Sequence, residues 1–311
     1  MDLIKCEAFL TAAETGSLTA AAAQMGYSQS GMTRMIESLE DEVGFSLFVR
    51  SKRGVELTEN GRGLMPFFRE MIRSYNSAEQ YSADIRGTIR GSVTIGSYYS
   101  ISAILMPSIL SDFREMYPGV SVRIHEGSNL EMAQWLKEQS VDLCFCAEPH
   151  IPGIDWIPLI KDEIVVWVSE NHPMAKAGAF PVKQLEKEQF IHTSPGRDTE
   201  LDRLIADQKL SLKPYFTTKD GFTTYNMVEA GLGVSFNQKL ISTRWHGRVA
   251  ELPFEPRQYI DLGIAIPSSV GISPAASRFI DCIKDSVRAE RELRGSASDN
   301  QLSKVLSTET L

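Results

Sequence analysis

The spacing of apolar residues changes once along this chain, near residue 90, and that change limits the fold more than any other feature. Before it, apolar positions recur at helical intervals; after it, short β-rich runs alternate with helical ones. Periods of 3.6 and 2 bury different faces, so the two textures predict separate cores. A chain of 311 residues is long enough for two or three domains. With 42% hydrophobic and 23% charged residues, collagen-like and low-complexity architectures are excluded.

The first sixty residues read as three short helices. Leu3, Cys6, Phe9, Leu10 and Ala13 form one stripe, and Gly16-Ser17 ends that helix. Ser17 or Thr19 caps a second helix through Ala20–Ala23, and Met25-Gly26-Tyr27 is a tight turn. Ser28 or Ser30 caps a third helix to about Glu42, with Met32, Ile36, Leu39 and Val43 inward and Gln29, Ser30, Thr33 and Arg34 outward. Phe48-Val49-Arg50 and Gly54-Val55-Glu56-Leu57 flank a positive turn as a hairpin.

Helix–turn–helix plus a basic hairpin is the shape of a winged DNA-binding domain. Bulk charge argues against DNA: the chain carries −8, and residues 1–90 hold ten Lys/Arg against twelve Asp/Glu. Distribution reverses the objection. Glu37, Glu40, Asp41 and Glu42 gather at the far end of helix three, while Arg50, Lys52 and Arg53 make the hairpin positive. Gln29, Thr33 and Arg34 are therefore candidates for base edges, and Ser17, Thr19, Ser28 and Ser30 for phosphates. The three hairpin cations are candidates for phosphate or minor-groove contact.

These residues carry a resemblance. The stretch Phe9–Ala22, then Ser28-Gln29-Ser30-Gly31-Met32-Thr33-Arg34, Leu39-Glu40, Gly44, Leu47-Phe48, Arg50, Leu57-Thr58 and Gly61, resembles the LysR-type transcriptional regulators. Members commonly show Ser-Gln-Pro-Ala where this chain has Ser28-Gln29-Ser30-Gly31, and serine where Thr33 stands. Losing proline and gaining glycine loosens the helix start, so the operator does not carry over from relatives.

After Thr58 a long helix runs to about Arg86. Leu64, Phe68, Met71, Tyr75, Ala78 and Ser82 alternate by four and three, the pattern of a coiled-coil seam, although one helix packed on its own domain satisfies it too. From residue 91 strands and helices alternate, predicting an α/β domain with a largely parallel sheet. One helix is expected over Ser100–Met116, a buried strand over Val141–Ala147, and a final helix over Ser273–Leu293. Residues 295–311 are polar and weakly patterned, which predicts a disordered tail.

The expected fold is thus α/β with an N-terminal all-α winged helix-turn-helix domain (1–60), a linker and dimerisation helix (61–88) and a two-lobed effector-binding domain (91–294). Lobe one comprises 91–161 and 267–294, lobe two 162–266. The resemblance implies that this last part is similar to periplasmic solute-binding proteins, with a small, anionic effector between the lobes. Strand ends collect ligands in open α/β sheets. The loop carrying Ser97, Tyr98, Tyr99 and Ser100 and the helix start at Ser128 and Asn129 fit such a place in lobe one, and Thr193, Ser194 and Phe236 do so in lobe two. The resemblance also implies a homodimer, or a homotetramer built as a dimer of dimers, on double-stranded promoter DNA; RNA polymerase is a further candidate partner.

Other chemistry finds little support. Gly231-Leu232-Gly233 precedes a strand instead of following one, the wrong order for dinucleotide binding. No phosphate-loop, nucleophile-elbow or zincin motif occurs, and the His125-Glu126 step stands alone. Four scattered cysteines (Cys6, Cys144, Cys146, Cys282) and five isolated histidines predict no disulfide framework, no metal and no cofactor. No export signal or apolar run of roughly 18 residues is visible, so a cytoplasmic protein without membrane contact is expected. The alternative, a small-molecule-binding protein or enzyme with an accessory helical domain, predicts no DNA retention by residues 1–90.

Overall fold

A computed structural model describes residues 1–51, 54–87, 89–197, 199–267 and 271–289. Lys52, Arg53, the end of the expected final helix and the expected tail lie outside them. The chain divides into two compact units at about Gly91. Among the described residues no helix is long and apolar enough to cross a membrane.

The first unit holds α1 (Leu3–Thr15), α2 (Leu18–Met25) and α3 (Gln29–Val43), then the hairpin β1 (Phe48–Ser51) and β2 (Gly54–Leu57) and the helix α4 (Glu59–Ile85). Each helix begins on a side-chain cap: Asp2, Ser17, Ser28 and Thr58 accept the N–H three residues on. The core joins Phe9, Ala21, Met32, Ile36, Leu39 and Leu47 to Phe48 and Phe68. Phe9 is its hub, with ring centroids 5.2 Å from Phe48 and 5.3 Å from Phe68, the latter edge-on.

The hairpin is clamped to this core by backbone. Val55 N donates to Gly16 O at 2.9 Å, and a Cβ at Gly54 would lie 2.2 Å from that same oxygen. With φ at +127°, position 54 admits only glycine.

Helix α4 departs from the expected seam at its first two positions. Phe68 is 1% exposed and packs on Phe9, with Leu64 against the same core. Met71, Tyr75, Ala78 and Ser82 of that seam are exposed, and an outward stripe runs Phe67, Met71, Ser74, Ala78, Tyr81 and Ile85. It keeps the four–three alternation that the expected seam had.

The second unit begins with β3 (Gly91–Ser97), α5 (Tyr99–Ile104), α6 (Met106–Met116), β4 (Val120–Glu126), α7 (Asn129–Lys137), β5 (Leu143–Ala147) and β6 (Ile154–Ser169). It continues through β7 (Phe180–Pro181), β8 (Phe190–Thr193), α8 (Glu200–Asp207), β9 (Pro214–Thr218), α9 (Gly221–Glu229), β10 (Ser235–Gln238), α10 (Lys239–Ser242) and β11 (Val249–Pro267). A helix, α11, follows over 274–289. The helix expected over Ser100–Met116 is broken at Leu105, because Pro107 lacks the N–H that a continuing helix needs and sits instead in the first turn of α6.

The main sheet runs β10-β6-β11-β5-β3-β4, with β7 added beside β11. It is mixed, not largely parallel: β3 and β5 are parallel, but β6 and β11 pair antiparallel from Val249↔Ser169 to Pro267↔Ile154. These two strands carry the chain out and back, and each end serves a different core. Ile154 and Trp156 of β6 pack with Met132, Leu136, Cys144 and Cys146, whereas Val165 and Trp167 pack with Ile191, Tyr225 and Val228. A separate pair, β8 and β9, runs parallel beside the second core.

Candidate functional sites

Two groups of side chains face outward with chemistry to offer. The first lies on α3. Ser28 Oγ accepts from Gly31 N at 3.1 Å and lies 3.2 Å from Ser30 Oγ, which fixes the helix start. With Met32, Ile36 and Leu39 buried, the opposite side presents Gln29, Ser30 and Arg34 to solvent, with Thr33 half-buried. Ser17 caps α2, its Oγ 3.3 Å from Ala20 N, and Thr19 is exposed in the same turn.

Three of the four acids at the other end of α3 are already engaged, Asp41 being the exposed exception among the described residues. Glu40 Oε1 accepts from Leu47 N at 2.6 Å and Phe48 N at 3.1 Å, tying the helix to the hairpin. Glu42 pairs with Lys5 Nζ at 2.5 Å and with the N-terminal amine, and these hydrogen bonds lower its pKa to about 2. Arg50 lies 3.2 Å from Glu37, so this wing cation is partly neutralised in the free protein. Arg34, by contrast, has no ion pair among the described residues.

The second group surrounds a cavity of about 340 Å³ between the two cores of the second unit. From the first side come Tyr98, Tyr99, Ser100, Glu126, Ser128, Asn129 and Glu131; from the other come Thr193, Ser194, Arg197, Lys219, Asp220 and Gln238. Of the residues expected there, Ser97 and Phe236 lie outside the wall. Ser97 is fully buried and donates to Tyr98 O at 3.2 Å, and Phe236 sits in the core 5.6 Å from Phe190 and 5.5 Å from Phe254.

Hydrogen bonds bind the wall together. Ser100 Oγ donates to Gln238 Oε1 at 2.9 Å, both residues buried and 138 apart in sequence. Tyr98 OH donates to Asn129 Oδ1 and accepts from Ala147 N at 3.2 Å. The Thr193 and Thr224 hydroxyls are 2.8 Å apart, and Ser194 Oγ donates to Lys219 O at 2.9 Å. Ser128 and Glu131 cap α7 reciprocally, and those hydrogen bonds hold the Glu131 pKa below the usual carboxylate range. Arg197 Nη1 reaches Glu131 at 3.6 Å across the opening.

Beneath the loop carrying Arg197, His192 Nε2 lies 3.0 Å from Asp202 Oδ1 but off the line of a good hydrogen bond. Burial outweighs the carboxylate, and the His192 pKa is lowered. Sequence reasoning missed Glu126 as a wall residue, and Arg197, Lys219 and Gln238 entirely. Lys219 follows β9, a half-exposed strand with no clear alternation, and Arg197 lies in a Pro-Gly loop with no repeating pattern. His125-Glu126 was the one visible signal: His125 turns onto Trp135, 5.6 Å between rings, and Glu126 faces the cavity.

The arrangement is matched by known proteins throughout its length. Residues 3–62 match the bacterial regulatory helix-turn-helix proteins of the lysR family, and residues 86–288 match the LysR substrate binding domain. The HTH-type transcriptional regulator YvbU of Bacillus subtilis is 28% identical over 293 residues, covering 93% of this chain and all of that one. CfxR of Cupriavidus necator, another HTH-type transcriptional regulator, is 28% identical over 239 residues, 76% of this chain and 75% of that one. Full-length OxyR of Pseudomonas aeruginosa superimposes with a TM-score of 0.73 at 23% identity, covering 93% of this chain and 95% of that one. CbnR in complex with its target DNA gives 0.62 at 19% identity, with 92% and 100% covered. The chain belongs to the LysR family of transcriptional regulators, with a helix-turn-helix DNA-binding module and a ligand-binding substrate domain in place of an enzyme's catalytic centre.

Proposed function

We propose that this regulator reads promoter DNA with the outward side of α3 and answers to a small molecule held in the cavity of the second unit. Gln29, Thr33 and Arg34 contact base edges, Ser17, Thr19, Ser28 and Ser30 approach phosphates, and Arg50, Lys52 and Arg53 contact the flanking backbone. The observation that carries the DNA reading is charge placement. Glu37, Glu40 and Glu42 of α3 are engaged by Arg50, backbone amides and Lys5, while Arg34 is exposed and uncommitted on the helix face that would enter the groove.

Half-site recognition needs two heads. The stripe Phe67, Met71, Ser74, Ala78, Tyr81 and Ile85 supports a dimer through α4, and two such dimers give the tetramer. The effector carries an anionic group, supported by Arg197 and Lys219 on one wall. The working site is the cytoplasm, where RNA polymerase is the partner that turns promoter binding into regulation.

Footprinting of bound promoter fragments tests the DNA reading. Arg34→Ala should weaken the specific complex by ~1–3 kcal/mol and relax sequence preference. Undiminished protection by that variant would overturn it.

A further inference from the structure

Five charged side chains line the cavity, and three of them are engaged. Glu131 accepts from Ser128 N at 2.9 Å and Ser128 Oγ at 2.7 Å and faces Arg197; Asp220 accepts from Thr223 N at 2.8 Å and Oγ1 at 2.9 Å. Those two carboxylates also occupy the positive ends of α7 and α9, closing them to a ligand's anionic group. Glu126 and Lys219 are left over. Glu126 ends β4 on one wall, Lys219 follows β9 on the other, and neither charge has a partner among the described residues.

We infer that the molecule taken by this cavity is a zwitterion of amino-acid size, with its anionic group on Lys219 and a primary ammonium on Glu126. The inference rests on reading the cavity as the ligand site and goes beyond an anion alone. A plain anion would sit in a half-enclosed space facing Glu126, and a plain cation would face Lys219; only a ligand with both charges leaves neither opposed. Neutral groups contribute less to the choice, because the Ser100, Thr193, Ser194 and Ser128 hydroxyls already have partners. A volume of about 340 Å³ lies at the small end for ligand cavities and suits such a molecule.

Calorimetric titration of the full chain with two matched sets of probes decides it: the L-amino acids, and the 2-hydroxy acids bearing the same side chains. The expected result is saturable binding of at least one amino acid, with its hydroxy acid about tenfold weaker or worse. Glu126→Gln should weaken the amino acid alone, and Lys219→Met should weaken both members of the pair. Both positions are exposed, and an unchanged melting temperature without ligand shows that the variants fold. Hydroxy acids that match the amino acids, yet respond to Lys219→Met, would overturn the zwitterion and leave the cavity standing. An amino acid indifferent to Glu126→Gln, Lys219→Met and Ser100→Ala alike would overturn the cavity as the ligand site. Binding of neither probe set overturns the zwitterion outright.

Discussion

Around α3 several polar groups find partners close by in sequence: Ser28 caps Gly31, Glu40 takes Leu47 N seven residues on, and Glu37 holds Arg50 thirteen residues on, while Glu42 reaches back 37 residues to Lys5. The cavity of the second unit depends on a much longer reach, from Ser100 to Gln238 across 138 residues. The cap at Ser28 sets the start of the reading helix before DNA arrives. Bonding across the cavity ties two separately packed cores to each other, so a ligand that competes for those groups acts on the relation between the cores. One unit is built to present a surface and the other to be altered by what it holds.

The largest expected effect tests whether α4 belongs to the head or to a partner. Phe68→Ala removes an edge-on ring from the Phe9 cluster and should cost about 3–5 kcal/mol in urea unfolding of the head. Phe67→Ala, one residue earlier and 61% exposed, should cost under about 0.5 kcal/mol while lowering the assembly mass in light scattering. Reversed outcomes would put the seam back in the Phe68 register.

Next comes the cavity bond. Ser100→Ala leaves Gln238 Oε1 buried without its donor, and about 1–3 kcal/mol of stability should be lost. The Ser100→Ala/Gln238→Leu double variant should recover part of it. Equal losses in the single and double variants would show that the bond does not couple the two walls.

How much of this was legible follows the same division. The caps of α2 and α3 were readable because Ser17 and Ser28 each act on an amide three residues away; Asp2 and Thr58 obey the same rule but were not singled out. The α4 register was not. Phe67 and Phe68 both fit a four–three alternation, and only the position of Phe9 in space decides between them. In the cavity, Ser100, Ser128 and Thr193 were visible at element starts and ends, but β8 and β9 were not separated in the sequence, so Lys219 had no strand end to belong to. Ser97 and Phe236 failed for a simpler reason: being near a strand end does not fix whether a side chain reaches the opening or stays in the core, where both are fully buried.

Acid should loosen the cavity side of the molecule through His192. Its pKa is lowered in the fold from 6.5, chiefly by burial, so the unfolded chain binds the proton first. The stability that neutral His192 permits is complete above about pH 6.5 and is lost as pH falls towards the folded value. Urea midpoints measured between pH 7.5 and 5.5 should fall less steeply for His192→Gln than for the wild type. Parallel slopes would remove His192 from the account. Glu42 has the same sign in a lower window: its carboxylate ordinarily titrates at 4.5 and is lowered to about 2, so the Lys5 pairing weakens only below that ordinary value.

The smallest effect is at the start of the reading helix. Gly31 is the third residue of α3, and its N–H donates to Ser28 Oγ at 3.1 Å. Its φ is not in the left-handed region, so alanine can adopt the same backbone. A Cβ there would lie 3.2 Å from Ser28 Oγ, slightly tight against a cap that can shift by a few tenths of an ångström. Against that stands the helix preference of alanine over glycine, about 0.8–1 kcal/mol in a helix interior and less in the first turn. The balance favours Gly31→Ala by about 0.5 kcal/mol, read as a small rise in the head's melting temperature. Because Gly31 and the Ser28 it bonds both lie in the first unit, the gain should appear there and leave ligand binding in the second unit unchanged. A drop in stability would mean that Ser28 cannot give way and that glycine at 31 is needed for the cap.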